Sequence, residues 1–217
     1  MEKTSSVTQT KKIKSAFTVK NLVLIAMMAA IAMVLMLFEV PLPMIAPSFY
    51  EIDLSELPVL IGTFAMGPVA GVLIELVKIL LKLLIKGTST AYVGDLANFL
   101  VGCSFLIPAG IIYHMKKTKK SAIIGMIAGT VTMAVAGCFL NAFLLLPFYA
   151  NSFFASAGGM DAILAAGAAV HPAIGSVAGF VILCVAPFNL IKGVIISVLT
   201  MLLYKRVSVV IHGVQNH

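Results

Sequence analysis

The stretch Ala186–Gly193, with the sequence APFNLIKG, lies inside the last long apolar segment of the chain, residues 173–204. It places an amide, Asn189, and an ammonium group, Lys192, three residues apart in a segment that is otherwise suited to lipid. Burying a lone polar or charged side chain in hydrocarbon is costly, and such residues in membrane segments usually serve a function. We therefore interpret this stretch as one side of a small-molecule pocket inside a membrane-embedded helix bundle.

The composition indicates an integral membrane protein. The chain has 217 residues, of which 61% are hydrophobic and 11% are charged, whereas about 25% of the residues of an ordinary soluble domain are charged. Segments of alternating hydrophobicity, which a membrane β-barrel requires, are not evident. The net charge is +7, but the lysines lie in short segments between apolar runs, so they indicate membrane topology rather than a nucleic-acid-binding face.

The apolar runs predict an all-α integral membrane fold, a six-transmembrane-helix bundle over residues 21–206. A spanning helix needs about 20 apolar residues. We expect a basic cytoplasmic tail over residues 1–20 and a second cytoplasmic tail over 207–217, so that both termini are cytoplasmic. The six helices are expected at about 21–38, 54–66, 69–85, 92–113, 121–148 and 173–204.

A break at Gly67-Pro68 follows from the positions of the basic residues. Lysines cluster near the N-terminus, at 116–120 and at Lys205-Arg206, and basic residues favour the cytoplasmic side. One unbroken helix over 57–85 would place the middle cluster outside, whereas two helices place it inside. Lys82 and Lys86 then fall outside, against the same bias.

The last segment is longer than the membrane is thick. Residues 173–204 would measure about 48 Å as a straight helix, against a hydrocarbon core of about 30 Å. Pro187 lacks an amide hydrogen and cannot bond to the carbonyl of Leu183. We expect the helix to be distorted at that point.

The polar groups of the outer half predict the character of the pocket. Counting helical rise from the basic clusters places Asn189, Lys192 and Asn141 in the outer half of the membrane. The loop over 39–56 lies on the same side and can act as a lid. Amides and an ammonium suit a planar, neutral ligand with alternating donors and acceptors. The alternative is that these side chains bond other helices.

Other polar residues have more ordinary interpretations. Glu75 and Lys78, three residues apart, are expected to form an ion pair inside the bundle. Asp95 and Asn98 either line the outer mouth of the pocket or cap their own helix, and His171 is expected in a loop. Cys103, Cys138 and Cys184 are isolated in apolar runs without metal-ligand or disulfide spacing, so we expect buried free thiols and no bound metal.

Sequence motifs of known enzymes are absent. The chain has no P-loop and no H-E-x-x-H motif. It also shows no nucleophile–histidine–carboxylate set or paired carboxylates at one depth. We therefore expect a protein that is not an enzyme and that does not itself hydrolyse ATP.

Several short motifs, in order, resemble the riboflavin-specific substrate-binding subunits, or S components, of energy-coupling factor (ECF) transporters. The similarity covers about residues 19–204. No single motif is specific, but their order and number are. The motifs are Leu42-Pro43, Ile52–Pro58 (IDLSELP), Phe64–Gly71 (FAMGPVAG), Ala97–Gly102 (ANFLVG), Leu145–Tyr149 (LLPFY) and Ala186–Gly193 (APFNLIKG).

The resemblance implies a subunit of the bacterial cell membrane that captures riboflavin from outside with high affinity. Import would require a transmembrane coupling protein (the T component) and two ATPase subunits, and riboflavin would be cargo rather than a cofactor. Ala26 and Ala30 resemble the A-x-x-x-A patch that docks on the coupling protein. The substrate-binding residues implied are Asn141, Asn189, Lys192, Phe49, Tyr50, Ile52, Asp53, Leu54 and Asn98, with Asp95 and Glu51 as further candidates.

Two other classes of function remain open. One is an S component for another vitamin or for a flavin analogue. The dianion folate is disfavoured, because the outer pocket offers the single cation Lys192. The other class is a lipid-binding membrane bundle or a membrane enzyme, although no reactive group is apparent at the pocket.

Overall fold

The computed structural model describes residues 18–215, and the side chains of residues 18–203. The fold is all-α apart from one small hairpin. The basic residues of the N-terminal tail before residue 18 lie outside the described part, as do the side chains of Lys205 and Arg206. In chain order the elements are α1 (Val19–Met36), β1 (Val40–Pro41), β2 (Glu51–Ile52), α2 (Glu56–Met66), α3 (Pro68–Ile85), α4 (Val93–Lys116), α5 (Lys119–Ser152), α6 (Met160–Val170) and α7, which begins at Val177 and ends at Gln215.

Four of these helices are long and apolar enough to cross a membrane, by length and composition: α1, α4, α5 and the Val177–Leu203 part of α7. Helix α2 has 11 residues, which corresponds to about 16 Å. Helix α3 is long enough but carries Glu75, Lys78 and Lys82. The expected count of six spans therefore depends on two helices that do not qualify by length and composition alone.

Helices α2 and α3 are separated at Gly67, where the sequence predicts a break. Gly67 adopts a positive φ of 104°, a conformation that favours glycine. Pro68 begins α3, where its missing amide hydrogen costs no helical bond. The two helices pack against each other and against α1 and α4, and α2 also packs against α7.

Helices α5 and α7 each contain a π-helical turn that ends two residues before a proline. Helix α5 contains the turn Asn141–Leu145 before Pro147, and α7 contains Val181–Val185 before Pro187. The distortion expected at Pro187 therefore takes the form of a π-helical turn. A second π-helical turn precedes Pro147, and this one was not predicted from the sequence. Such turns are frequent at functional sites.

The last helix and the loop after α1 differ from what the sequence predicts. Helix α7 begins at Val177 and continues to Gln215, beyond the expected end at residue 204, because the apolar run 207–211 contains no helix breaker. The expected lid loop contains an antiparallel pair, with Val40 opposite Ile52. That hairpin was not predicted, because strands of two residues have no detectable periodicity.

Buried apolar side chains form two clusters. The first lies among α1, α2, α3, α4, α5 and α7 and includes Phe64, Phe105 and Ile196. The second includes Leu146, Ile163 and Phe180 and joins the hairpin loop, the C-terminal part of α5, α6 and the start of α7. The pocket described below borders the second cluster.

Candidate functional site

A cavity of about 800 Å³, including its open mouth, lies where the hairpin loop meets α4, α5 and α7. It borders the first half of α4 and the end of α5, so it lies at the end of the bundle opposite the turn between those helices, where Lys116, Lys117, Lys119 and Lys120 cluster. The lining residues are Glu39, Phe49, Tyr50, Glu51, Asp53, Gly94, Ala97, Asn98, Val101, Asn141, Leu145, Tyr149, Phe188, Asn189 and Lys192.

The structure brings together most of the residues that were predicted from sequence. Asn141, Asn189 and Lys192 line the cavity together with Phe49, Tyr50, Glu51, Asp53 and Asn98. Three predicted residues do not line it. Ile52 packs against the second apolar cluster, Leu54 is 37% exposed, and Asp95 forms an ion pair described below.

The additional lining residues are mostly apolar or aromatic: Ala97, Val101, Leu145, Tyr149 and Phe188, together with Gly94 and Glu39. Sequence reasoning missed them because it searched for polar groups in apolar runs. The i, i+3, i+4 spacing of Gly94, Ala97, Asn98 and Val101 on α4 is a signal that could have identified one helix face.

Helices α5 and α7 approach closely at the two asparagines. A Cβ atom on Gly137 would lie 2.6 Å from Nδ2 of Asn189, so a larger residue at position 137 would collide with the amide. Nδ2 of Asn189 donates to the carbonyl of Val185 at 2.9 Å, and Nδ2 of Asn141 donates to the carbonyl of Gly137 at 2.8 Å. These bonds to the preceding turn fix both amides and leave the Asn189 oxygen free of any bond to a described side chain.

Tyr50 connects the hairpin loop to the interior of the pocket. Its hydroxyl donates to Oδ1 of Asn141, and its ring lies 5.5 Å from that of Phe188 and 5.0 Å from that of Phe49. Burial raises the pKa of the Tyr50 hydroxyl well above its ordinary value, with a further contribution from Tyr149. The hydroxyl therefore remains a hydrogen-bond donor at physiological pH.

Lys192 pairs with Asp53 from the loop that precedes α2. Its Nζ lies 3.0 Å from Oδ2 of Asp53, and the two residues are 8% and 4% exposed. Burial on its own would raise the pKa of the Asp53 carboxyl, but the ammonium groups of Lys192 and Lys78 hold that pKa below its usual range. The backbone N–H of Ser55 donates to Oδ1 of Asp53 at 2.7 Å.

A second buried charge cluster lies beside this pair. The predicted ion pair of Glu75 and Lys78 is confirmed, with 2.7 Å between Oε1 and Nζ. Nζ of Lys78 also lies 2.9 Å from Oε1 of Glu56, a partner that the sequence did not suggest. A Cβ atom on Gly102 would lie 2.7 Å from Oε1 of Glu75, so the glycine of α4 makes room for this carboxylate.

The two lysines that opposed the topology bias have acidic partners. Lys82 pairs with Asp95 at 2.5 Å, and Lys86 pairs with Glu39. Asp95 also accepts from the Thr88 hydroxyl at 2.7 Å, and the N-terminus of α4 has no side-chain cap. Asp95 therefore neither caps its helix nor lines the cavity. The hydrogen bond from Lys86 to Glu39 raises the pKa of the Lys86 ammonium.

The structure also places the remaining residues that the sequence singled out. Cys103, Cys138 and Cys184 are free; Cys103 and Cys184 are buried as expected, whereas Cys138 is only partly buried. His171 lies at the C-terminal end of α6, at the start of a loop. Ala26 and Ala30 lie on the exposed face of α1, whereas Ala29 on the opposite face is buried.

The family is established by comparison with known proteins. A model of the family described as "ECF transporter, substrate-specific component" matches residues 20–204. The chain belongs to this family. Its members are transporter subunits and not enzymes, and this chain is accordingly a multi-pass membrane protein.

Individual relatives agree with this family. The chain is 38% identical to "Riboflavin transporter RibU" of Staphylococcus aureus, over 87% of this chain and 90% of that protein. It is 32% identical to "Riboflavin transporter FmnP" of Bacillus subtilis, over 88% and 93% of the two chains. A solved structure, described as the S component of a bacterial ECF transporter, superposes with a TM-score of 0.67 at 39% identity and covers 87% of this chain and 95% of that chain.

Proposed function

We propose that this chain is the riboflavin-binding subunit of an ECF-type vitamin transporter of the bacterial cell membrane, and that it captures riboflavin from outside with high affinity. The observation that carries the proposal is the cavity in which Asn141, Asn189 and Lys192 meet. The relatives named as riboflavin transporters supply the identity of the vitamin. Riboflavin is cargo here, and the chain needs no cofactor.

The chemistry of the pocket suits one edge of the flavin ring. That edge carries carbonyl oxygens and an N–H in alternation, so it needs both donors and acceptors. An amide offers both, and an ammonium donates to a carbonyl oxygen. Asn189 and Lys192 would bond this edge, and Asn141 would contribute from α5. The aromatic rings of Phe49, Tyr50 and Phe188 would pack on the flat ring faces.

The hairpin loop would close the site. Phe49 and Tyr50 of this loop line the cavity, as does Asp53 just after β2, while the β1–β2 pair joins the two ends of the loop. Ile52 and Leu54 would then support the loop rather than contact the ligand. Asn98 and Glu51 would face the ribityl chain at the mouth, and Asp95 would hold Lys82.

The membrane arrangement belongs to the same proposal. Six helices would span the bilayer, with α2 and α3 sheltered by the longer helices that they contact, and both termini would be cytoplasmic. Lys82 and Lys86, which fall on the outer side in this arrangement, pair with Asp95 and Glu39, so neither ammonium group lacks an acidic partner there.

Partner subunits would supply the energy for import. A transmembrane coupling protein and two ATPase subunits would hydrolyse ATP, and Ala26 and Ala30 on the exposed face of α1 would contact the coupling protein. Small residues four apart allow close helix approach. Ala26→Leu should therefore leave riboflavin binding intact and abolish uptake by the assembled transporter, whereas Met27→Leu should affect neither. Normal uptake by the Ala26→Leu variant would remove this face from the interface.

The experiment that tests the function is purification of the chain in detergent, followed by titration with riboflavin. We expect bound flavin that absorbs at about 450 nm and saturable quenching of riboflavin fluorescence at one equivalent. Thiamin and folate should not compete. A colourless protein that does not bind added riboflavin would contradict the proposal. Competition by another vitamin would indicate a different S component.

A further inference from the structure

A continuous series of buried polar contacts runs from the core of the bundle to the pocket. Lys78 lies between Glu56 and Glu75 at 2.9 and 2.7 Å. Its Nζ also donates to the Ser55 hydroxyl at 3.1 Å. The Ser55 amide donates to one oxygen of Asp53 at 2.7 Å, and the other oxygen lies 3.0 Å from Nζ of Lys192.

We infer that this series, through Ser55 and Asp53, positions the Lys192 ammonium for ligand binding, so that Lys78 and Ser55 are positioning residues for a site that neither of them lines. The inference rests on the proposed function, because it takes Lys192 to bind the flavin. Ser55 and Lys78 are fully buried and absent from the cavity wall. They would act on affinity through Asp53 and Lys192.

The physical reason lies in the flexibility of lysine. A lysine side chain has four rotatable carbons, and ordering it on binding costs conformational entropy. Asp53 limits this freedom only if its own carboxylate is fixed. The Ser55 amide and the charge of Lys78 fix it, and together with Lys192 they lower the pKa of Asp53 against the effect of burial. A ligand then meets an ammonium that is already in place.

The buried polar residues of this series come from several elements of the fold. Ser55 immediately precedes α2 and Glu56 begins it, whereas Glu75 and Lys78 lie on α3 and Lys192 lies on α7. The contacts therefore join the loop of the lid to three helices. A closed lid and a positioned ammonium would be produced by the same bonds.

The buried cluster contains more carboxylates than ammonium groups, so it is not a set of separate ion pairs. Asp53, Glu56 and Glu75 contribute three carboxylates, and Lys78 and Lys192 contribute two ammonium groups, all in buried positions. Oε1 of Glu75 has Lys78 as its ion-pair partner, whereas Oε2 of Glu56 and Oε2 of Glu75 have no hydrogen-bond partner among the described residues. Charges this close in a medium of low polarity interact strongly. A change at Lys78 or Ser55 would therefore alter the position of the Lys192 ammonium group.

The test is a double-mutant cycle between Ser55 and Lys192, measured as the Kd for riboflavin by fluorescence quenching. Ser55→Ala removes the hydroxyl that accepts from Lys78 and so releases the ammonium whose charge helps to fix Asp53, while the bond from the backbone N–H of residue 55 to Asp53 remains. We expect it to weaken binding by about three- to tenfold in the wild-type background and by less than twofold in the Lys192→Met background. Ser104→Ala is the matched control, because its hydroxyl donates only to the backbone of its own helix, and it should not change the Kd.

Different failures can be told apart. If Ser55→Ala weakens riboflavin binding equally in both backgrounds, Ser55 has a merely structural role and the inference is wrong. If Ser55→Ala leaves the Kd unchanged in the wild-type background, the inference is also wrong. If Lys192→Met does not fold, Lys192→Gln, which can still donate to Asp53, replaces it in the cycle. A Lys192 variant with unchanged Kd would overturn the inference while leaving riboflavin binding intact. Failure of the wild-type protein to bind riboflavin would reject the proposed function and this inference with it.

Discussion

Two buried lysines of this bundle differ in how completely they are bonded. Lys78 is fully buried and contacts three partners, Ser55, Glu56 and Glu75. Lys192 is 8% exposed at the cavity and contacts one partner, Asp53, among the described side chains. An ammonium group has three hydrogens to donate. Lys78 therefore has none left for a ligand, whereas Lys192 keeps two.

This difference separates a residue that holds the fold from one that recognises a ligand. Both lysines interrupt apolar segments, so hydrophobicity alone does not distinguish them. The distinguishing feature is the number of carboxylates and hydroxyls within reach of each ammonium group. A buried cation with incomplete bonding beside a cavity is a candidate binding group.

The largest expected effect is on stability at Lys78. Lys78→Met leaves Glu56 and Glu75 buried without a cation between them, and breaking a buried ion pair costs about 3–5 kcal/mol. We expect a large fall in the midpoint of unfolding, measured in detergent by denaturant or heat. Lys86→Met is the control, because its exposed pair with Glu39 should contribute less than about 1 kcal/mol. An equal fall in the midpoint of unfolding for both variants would show that the fully bonded, buried Lys78 contributes no more to stability than the exposed Lys86.

A smaller effect is expected from acid. The Asp53 pKa is below its ordinary value, which is about 4, so its pairing with Lys192 stabilises the fold fully above that pH. The contribution is lost as the pH falls through the lowered pKa. The stability difference between wild type and Asp53→Asn should therefore be constant from pH 8 to about 5 and shrink below about 4. A difference that already fades between pH 7 and 6 would contradict the pairing.

The smallest effect is expected at Glu75. Glu75→Gln keeps the shape of the side chain and removes the excess negative charge of the cluster, while Glu56 remains 2.9 Å from Lys78. We expect an unchanged or slightly raised midpoint of unfolding and a riboflavin Kd within about twofold of wild type. A loss of stability comparable to that of Lys78→Met would show that Lys78 needs both carboxylates.

The parts of the fold that sequence predicted are those with a strong local signal. The long apolar runs predicted α1, α4, α5 and α7, and Gly67-Pro68 predicted the break between α2 and α3. The pair Glu75–Lys78 followed from its spacing of three residues. Each of these signals lies within one segment.

The features that sequence missed depend on contacts between distant segments. Glu56 joins Lys78 across 22 residues, and Asp53 joins Lys192 across 139. Neither contact leaves a local pattern. The hairpin was missed because its strands are too short, and the π-helical turn at Asn141 was missed because Pro147 was read as part of a continuous helix. The position of Asn141 in the pocket depends on that turn.

The most direct test of the account is a riboflavin titration of the double variant Lys192→Met/Asp53→Asn. Removing both charges of the pair leaves no unpaired buried ion, so the fold should persist, as checked by its melting curve. We expect a folded protein whose affinity for riboflavin is weaker by about 1–3 kcal/mol, or roughly 5- to 150-fold in Kd. A folded double variant with wild-type affinity would contradict the claim that Lys192 recognises the ligand.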